Sequence, residues 1–194
     1  MNRNLISGLA IGVFAGFLAG YFTGASRSND DAPPAAAAPA AQATPAMPPR
    51  PNPMELQQRI VTNQQVVAAD PRNVQAWIAL GNDYFDLGQA QSAVDAYAKA
   101  LALDPGNPNV LTDQGVMYRQ LRQFDKAVAN FQRASRIDPS HLQSLFNLGI
   151  TYDQDLRKPD LAIKAFTRVI ELAPASPQAA QARQVIAGLK PARP

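Results

Sequence analysis

Two patterns of apolar side chains divide the chain. Leu5 to Phe22 is an unbroken run of 18 residues without a charge, with Ser7 as its one strongly polar member. From Pro53 onward, apolar residues instead recur at helical spacing among polar ones. In MELQQRIVTNQQVVAAD, for example, Leu56, Ile60 and Val67 fall on one helical face, and the segment ends at Asp70-Pro71. The stretches that follow each read as two amphipathic helices joined by a short turn. Between the two patterns lies APPAAAAPAAQATPAMPPRPNP, which holds eight of the 17 prolines and almost no large apolar side chain. It has too little to bury, so residues 25–52 are expected to form a disordered, partly polyproline II linker.

Prolines reveal a period in the helical part. Asp70-Pro71, Asp104-Pro105 and Asp138-Pro139 are 34 residues apart, and Pro174 follows 35 residues later. Aligned on them, Gly81, Gly115 and Gly149 share a column, with Tyr84, Tyr118 and Tyr152 three residues on. Ala93, Ala127 and Ala162 share another, with Tyr97, Phe131 and Phe166 four residues on. Small residues at Gly81 and Ala93 let the two helices of a hairpin approach closely, and the rings fill the space beside them. Proline ends each second helix, since it cannot continue the hydrogen-bond ladder and disfavours helical geometry in the residue before it. The extra residue of the third unit is expected in its turn, around Leu156-Arg157-Lys158-Pro159.

Trp77, Leu80-Gly81, Tyr84, Gly88, Ala93, Tyr97, Ala100 and Pro105 match the tetratricopeptide repeat (TPR) pattern at every signature column, and the chain resembles that family over roughly residues 74–176. The second unit departs from it with Leu111 and Gln114, the third with Val169. The fold expected is all-α: an α-solenoid of three helix hairpins at 74–107, 108–141 and 142–176. Capping helices should close both ends. Asn52-Pro53-Met54-Glu55 offers an N-cap and a returning acidic side chain for a half repeat over 53–70. Ser176-Pro177 opens a last helix over 177–190, where Ala182, Val185, Ile186 and Leu189 would cover the third repeat.

At 1.5 Å per residue the N-terminal apolar helix spans about 27 Å, near the ~30 Å hydrocarbon core of a bilayer. Residues 5–24 are therefore expected to be a transmembrane anchor, with Tyr21 and Phe22 near one interface. Arg3 precedes the run, and Arg27 is offset by Asp30 and Asp31, so residues 1–4 fall in the cytoplasm and the rest outside. In a bacterium this is a single-pass inner-membrane protein with a periplasmic repeat domain. A cleaved signal peptide is the alternative, with small residues at Thr23-Gly24-Ala25, and it would release a soluble periplasmic or secreted protein. Gly8, Gly12, Gly16, Gly20 and Gly24 recur every fourth residue. That period suits a right-handed crossing, so Gly8, Gly12 and Gly16 are expected to face another transmembrane helix, with self-association as one outcome.

Composition narrows the chemistry. The formal charge is +3, and from Met54 on, 15 Lys and Arg stand against 13 Asp and Glu. Arg119, Arg122, Lys126, Arg133 and Arg136 are interleaved with Asp113, Asp125 and Asp138, which is not the basic stripe a nucleic acid needs. Cysteine is absent, so thiol catalysis and thiolate metal sites are excluded. The single histidine, His141, lies at a repeat junction without triad partners or a glycine-rich elbow. Asp83 and Asp86 read as a solvated helix face. With no phosphate loop, dinucleotide fingerprint or metal-spaced cluster, neither cofactor nor catalysis is expected.

What the resemblance implies is binding. First helices of the repeats would line a concave groove that holds an extended peptide or a helix of a partner protein. By that resemblance the first unit contributes Gln75, Ile78, Asn82 and Phe85, and the second Asn109, Thr112, Asp113, Val116 and Arg119. The third adds Gln143, Phe146, Asn147, Ile150 and Asp153. Asn82, Asn109 and Asn147 are suited to hydrogen bonds with a partner's backbone. Family members that clamp a C-terminal carboxylate use a cationic and amide set of residues; here Ile78, Asn82, Asp113, Gln143 and Phe146 stand there, and only the Asn82 column survives. The half repeat before a tryptophan-bearing unit also resembles the domain of bacterial c-type cytochrome biogenesis factors, an alternative role as an apocytochrome chaperone.

Overall fold

The computed structural model describes residues 52–189, and the apolar run, the linker and Gly8, Gly12 and Gly16 lie outside them. Among the described residues, no helix is long and apolar enough to cross a membrane. There are eight α-helices and no strand in this part. They are α1 (Pro53–Ala69), α2 (Val74–Asp86), α3 (Ala90–Leu103), α4 (Pro108–Gln120), α5 (Phe124–Ile137), α6 (Leu142–Ile150), α7 (Pro159–Leu172) and α8 (Pro177–Gly188).

Local chemistry starts and stops these helices with the same period as the core. Asn52 and Glu55 form a reciprocal capping box on α1, at 2.9 and 3.2 Å. Side chains of Asn73, Asn107, His141 and Ser176 cap α2, α4, α6 and α8. The second helices α3, α5 and α7 have no side-chain cap. Their position is set instead by a left-handed residue that ends the helix before: Gly88 (φ 68°), Arg122 (60°) and Arg157 (53°). In the first two repeats the Gly88 amide bonds to Phe85 O and the Gln89 amide to Tyr84 O, as Arg122 and Gln123 do to Arg119 and Tyr118. This is a Schellman termination. At the other end of each hairpin, Asp70, Asp104 and Asp138 accept a hydrogen bond from the amide two residues on, which turns the chain at the Asp-Pro step.

The extra residue of the third repeat is placed differently from expectation. It is absorbed within the first helix, which winds into a π-helical turn at Thr151–Asp155 rather than lengthening the Leu156–Pro159 turn. A π-turn accommodates one residue while leaving Tyr152 and Phe166 in their columns. The Tyr152 hydroxyl still accepts from Gln132 (3.0 Å), as the Tyr84 hydroxyl accepts from Gln64 (2.9 Å).

Packing follows the small-and-ring columns. A methyl group built on Gly81, Gly115 or Gly149 would lie 2.4, 2.6 or 2.6 Å from a ring carbon of Tyr97, Phe131 or Phe166. Each ring is at most 1% exposed, and Ala93, Ala127 and Ala162 are fully buried. Glycine is required here because the facing ring occupies the place of its side chain. At the N-terminal end, Leu56, Ile60 and Val67 of α1 are buried, the last two within the cluster against α2. Ala182 is buried at the other end, with Val185, Ile186 and Leu189 packed on the third repeat. First helices touch in succession, α2 on α4, α4 on α6 and α6 on α8, while the second helices make no comparable contact with one another. The stack therefore curves with its first helices on the inside.

Candidate protein-binding groove

The inner face is built by α2, α4 and α6, and a hollow opens on it at the first repeat, between α2 and α4. The first hollow, of about 280 Å³, is lined by Asn82, Phe85 and Asp86 from α2, Tyr97 from α3 and Asp113 from α4. Tyr97 donates its hydroxyl to Asn82 Oδ1 at 2.8 Å, which fixes the asparagine at the rim. Burial raises the Tyr97 hydroxyl above its ordinary range, and Asp113, Asp86 and Asp83 add to the rise. Burial also pushes the Asp113 carboxyl up to about 6. Among the described residues no cation lies in ion-pair contact with Asp86, Asp113 or Asp153.

One repeat further on, the groove is organised differently. Arg119 reaches across from α4 to the π-turn, where it pairs with the Asp155 carboxylate and donates to Gln154 Oε1 at 3.0 Å. Phe146 stands edge-on to Phe166, ring centres 5.5 Å apart, and is half-buried. Ile78, Phe85 and Val116 are likewise half-buried, and Gln75, Asn82, Asn109 and Gln143 are exposed. Asn147, one turn before the π-turn, and Asp153, within it, are half-buried. Asn109 Oδ1 is already held by His141 Nε2 at 2.8 Å. His141 thereby joins two repeats, because its Nδ1 also accepts from the Ser144 amide as the cap of α6.

Two candidate groove residues are closed to a partner. Thr112 is 1% exposed and donates its hydroxyl to Pro108 O at 2.8 Å, and Ile150 is 8% exposed within the third-repeat core. Their columns are those of Ile78 and Phe146 and of Asn82 and Val116, so repeat position by itself does not disclose the burial. Asp83 is a further correction. It is fully buried rather than part of a solvated face, because α1 covers it. Arg59 approaches Asp83 Oδ1 at 2.5 Å and Asn63 donates to Oδ2 at 3.0 Å. Burial raises the Asp83 carboxyl, opposed by the charge of Arg59 and the hydrogen bond from Asn63.

A second cavity, of about 500 Å³, opens between α1 and α3, with Val67, Trp77, Leu80, Tyr84 and Ala96 among its walls. It was not legible in the sequence. Trp77 is half-buried there and donates its indole N–H to Pro71 O at 3.0 Å. No group of three or more metal-ligating side chains occurs among the described residues.

Comparison with known proteins agrees with this architecture. Two tetratricopeptide repeat models match residues 74–107 and 112–177. No curated protein sequence matches the chain. Among solved structures, MamA superposes with a TM-score of 0.65 at 24% identity, covering 70% of this chain and 78% of that one. The first TPR domain of human RPAP3 gives a TM-score of 0.56 at 28% identity, over 61% of this chain and 92% of that one. The first TPR of Spaghetti (RPAP3), bound to the HSP90 peptide SRMEEVD, gives 0.56 at 28% identity, over 61% of this chain and 94% of that one. The TPR domain of Arabidopsis OM64 gives 0.56 at 20% identity, over 59% of this chain and 94% of that one.

Proposed function

Since the chain belongs to the tetratricopeptide repeat family, whose members generally mediate protein–protein interaction, we propose that it is a non-catalytic adaptor holding a segment of a partner protein along its inner groove. The observation that carries this reading is the face of α2, α4 and α6. Half-buried Ile78, Phe85, Val116 and Phe146 alternate there with exposed amides at Gln75, Asn82 and Gln143. Apolar side chains supply contact area, and amides that both donate and accept suit the backbone of an extended segment. In this reading the run at residues 5–24 anchors the protein in a bacterial inner membrane and the linker projects the repeats into the periplasm.

Photo-crosslinking in intact membranes tests both parts. A crosslinker at Gln75 or Gln143 should trap the same partner, and one at Arg133, on a second helix, should not. Equal capture from both faces defeats the groove, and a mature N-terminus at or near Ser26 defeats the anchor in favour of a released protein.

A further inference from the structure

We infer that the first hollow of the groove is a subsite for a basic side chain, arginine or lysine, of the bound segment. This rests on the groove reading above and adds to it the chemistry of the partner. At about 280 Å³ the hollow lies just below the ~300–1,000 Å³ of small-molecule sites, so it suits one long side chain. Its walls offer two aromatic rings, Phe85 and Tyr97, and two carboxylates, Asp86 and Asp113. An arginine or lysine stem packs on such rings while its charged head meets the carboxylates. Asp113 is half-buried and makes neither a hydrogen bond nor an ion pair among the described residues, although burial disfavours its charge. An uncompensated carboxylate in that setting is unfavourable until a cation arrives.

The charged neighbours agree in sign. On α2, Asp83 is already neutralised by Arg59 from α1, whereas Asp86 is exposed and unpaired. On α3 the facing group is the Tyr97 hydroxyl, and on α4 the Arg119 guanidinium is turned to Asp155. The chain supplies its own comparison one repeat on. There, Gln120 and Asn147 replace Asp86 and Asp113, and Arg119 replaces Phe85. That arginine, on the same face, is already taken by a carboxylate and an amide, Asp155 and Gln154. The first hollow has the carboxylates and lacks the arginine, so the complementary charge must come from outside.

The test uses the full chain and N-acetylated, C-amidated degenerate heptapeptides, each with one position fixed as arginine, lysine, norleucine or glutamate, read by fluorescence anisotropy. Arginine and lysine should exceed norleucine by about tenfold at one position, the size of a single charge-assisted contact. Asp113→Asn should cut that preference to within about threefold and leave norleucine peptides bound, and Asp113→Lys should shift it to glutamate. Peptide binding with no basic preference, or a preference intact in Asp86→Asn/Asp113→Asn, overturns this inference and leaves the groove standing. Failure of every peptide to bind the wild-type chain overturns the groove reading, and the subsite with it.

Discussion

Replacing Gly115 with alanine measures how tightly the helices of a hairpin are held. The new Cβ would sit 2.6 Å from Cε1 and 2.9 Å from Cδ1 of Phe131, where ordinary contact begins near 3.4 Å. The ring must retreat by almost an ångström, yet it is fully buried against a second small residue, Ala127. Overpacking of this kind costs about 1–3 kcal/mol. Alanine also gains about 1 kcal/mol of helix propensity over glycine, so the net destabilisation expected is about 1 kcal/mol. A double-mutant cycle separates the two effects. Phe131→Leu removes Cε1 and Cζ and replaces the rigid ring with a side chain whose remaining Cδ1, at 2.9 Å in the ring, is free to turn away, while the propensity gain is present in both backgrounds and cancels. Urea unfolding of the four proteins, followed by circular dichroism, should give a coupling of about 1–2 kcal/mol. In the Phe131→Leu background, Gly115→Ala should be harmless or stabilising. Gly106→Ala is the control, because its Cβ meets nothing closer than Asp104 Oδ1 at 3.7 Å. A Gly115→Ala protein more stable than wild type, or a coupling below about 0.5 kcal/mol, would refute the close-approach account of the glycine column.

Four further outcomes follow from local energetics. Arg157→Gly should raise stability by about 0.5–1 kcal/mol in urea, because a left-handed conformation costs an L-residue about 1–2 kcal/mol and glycine returns part of that as unfolded-state entropy. Gly88→Ala, at φ 68°, should lower it. Arg59→Ala should destabilise by about 2 kcal/mol, below the ~3–5 kcal/mol of a fully buried pair since Arg59 is half exposed, and Asp83→Leu in the same chain should recover part of the loss. Asp113→Asn should stabilise at pH 7.5 and not at pH 4. The folded state raises the Asp113 carboxyl from 3.8 to about 6, so its favourable contribution is complete below pH 3.8 and is lost as pH rises through 6. At about 1.4 kcal/mol per unit that is at most about 3 kcal/mol, and roughly 1–2 after screening by the solvent on its open side. Thermal unfolding of both proteins from pH 4 to 7.5 reads the difference, and a constant difference across that range would refute it.

Much of the face built by α2, α4 and α6 was legible because repeat position maps onto helix face. The Gly81–Tyr97 relation occurs three times, and its recurrence identifies the hairpin without any knowledge of neighbours. Position within a repeat does not, however, say how far a neighbouring helix covers a side chain. Thr112 and Ile150 occupy groove columns, yet one bonds its hydroxyl to its own helix and both are covered. Arg122 and Arg157 stand in the column of Gly88, and nothing about arginine announces a positive φ; the Schellman bonds of the finished turn impose it in the second repeat.

The sequence by itself determined the all-α class, the period, the hairpins and the small-and-ring columns, because these depend on contacts that repeat within about 35 residues. Tertiary structure alone decided which charges are spent and which remain. Asp83 is neutralised because the half repeat brings Arg59 and Asn63 onto it, and Arg119 is claimed by a π-turn that no column anticipates. Asp113 is left without a counter-charge in a hollow that three helices enclose. Periodicity assigns a side chain to a face, whereas desolvation and pairing depend on the elements that come to lie over it.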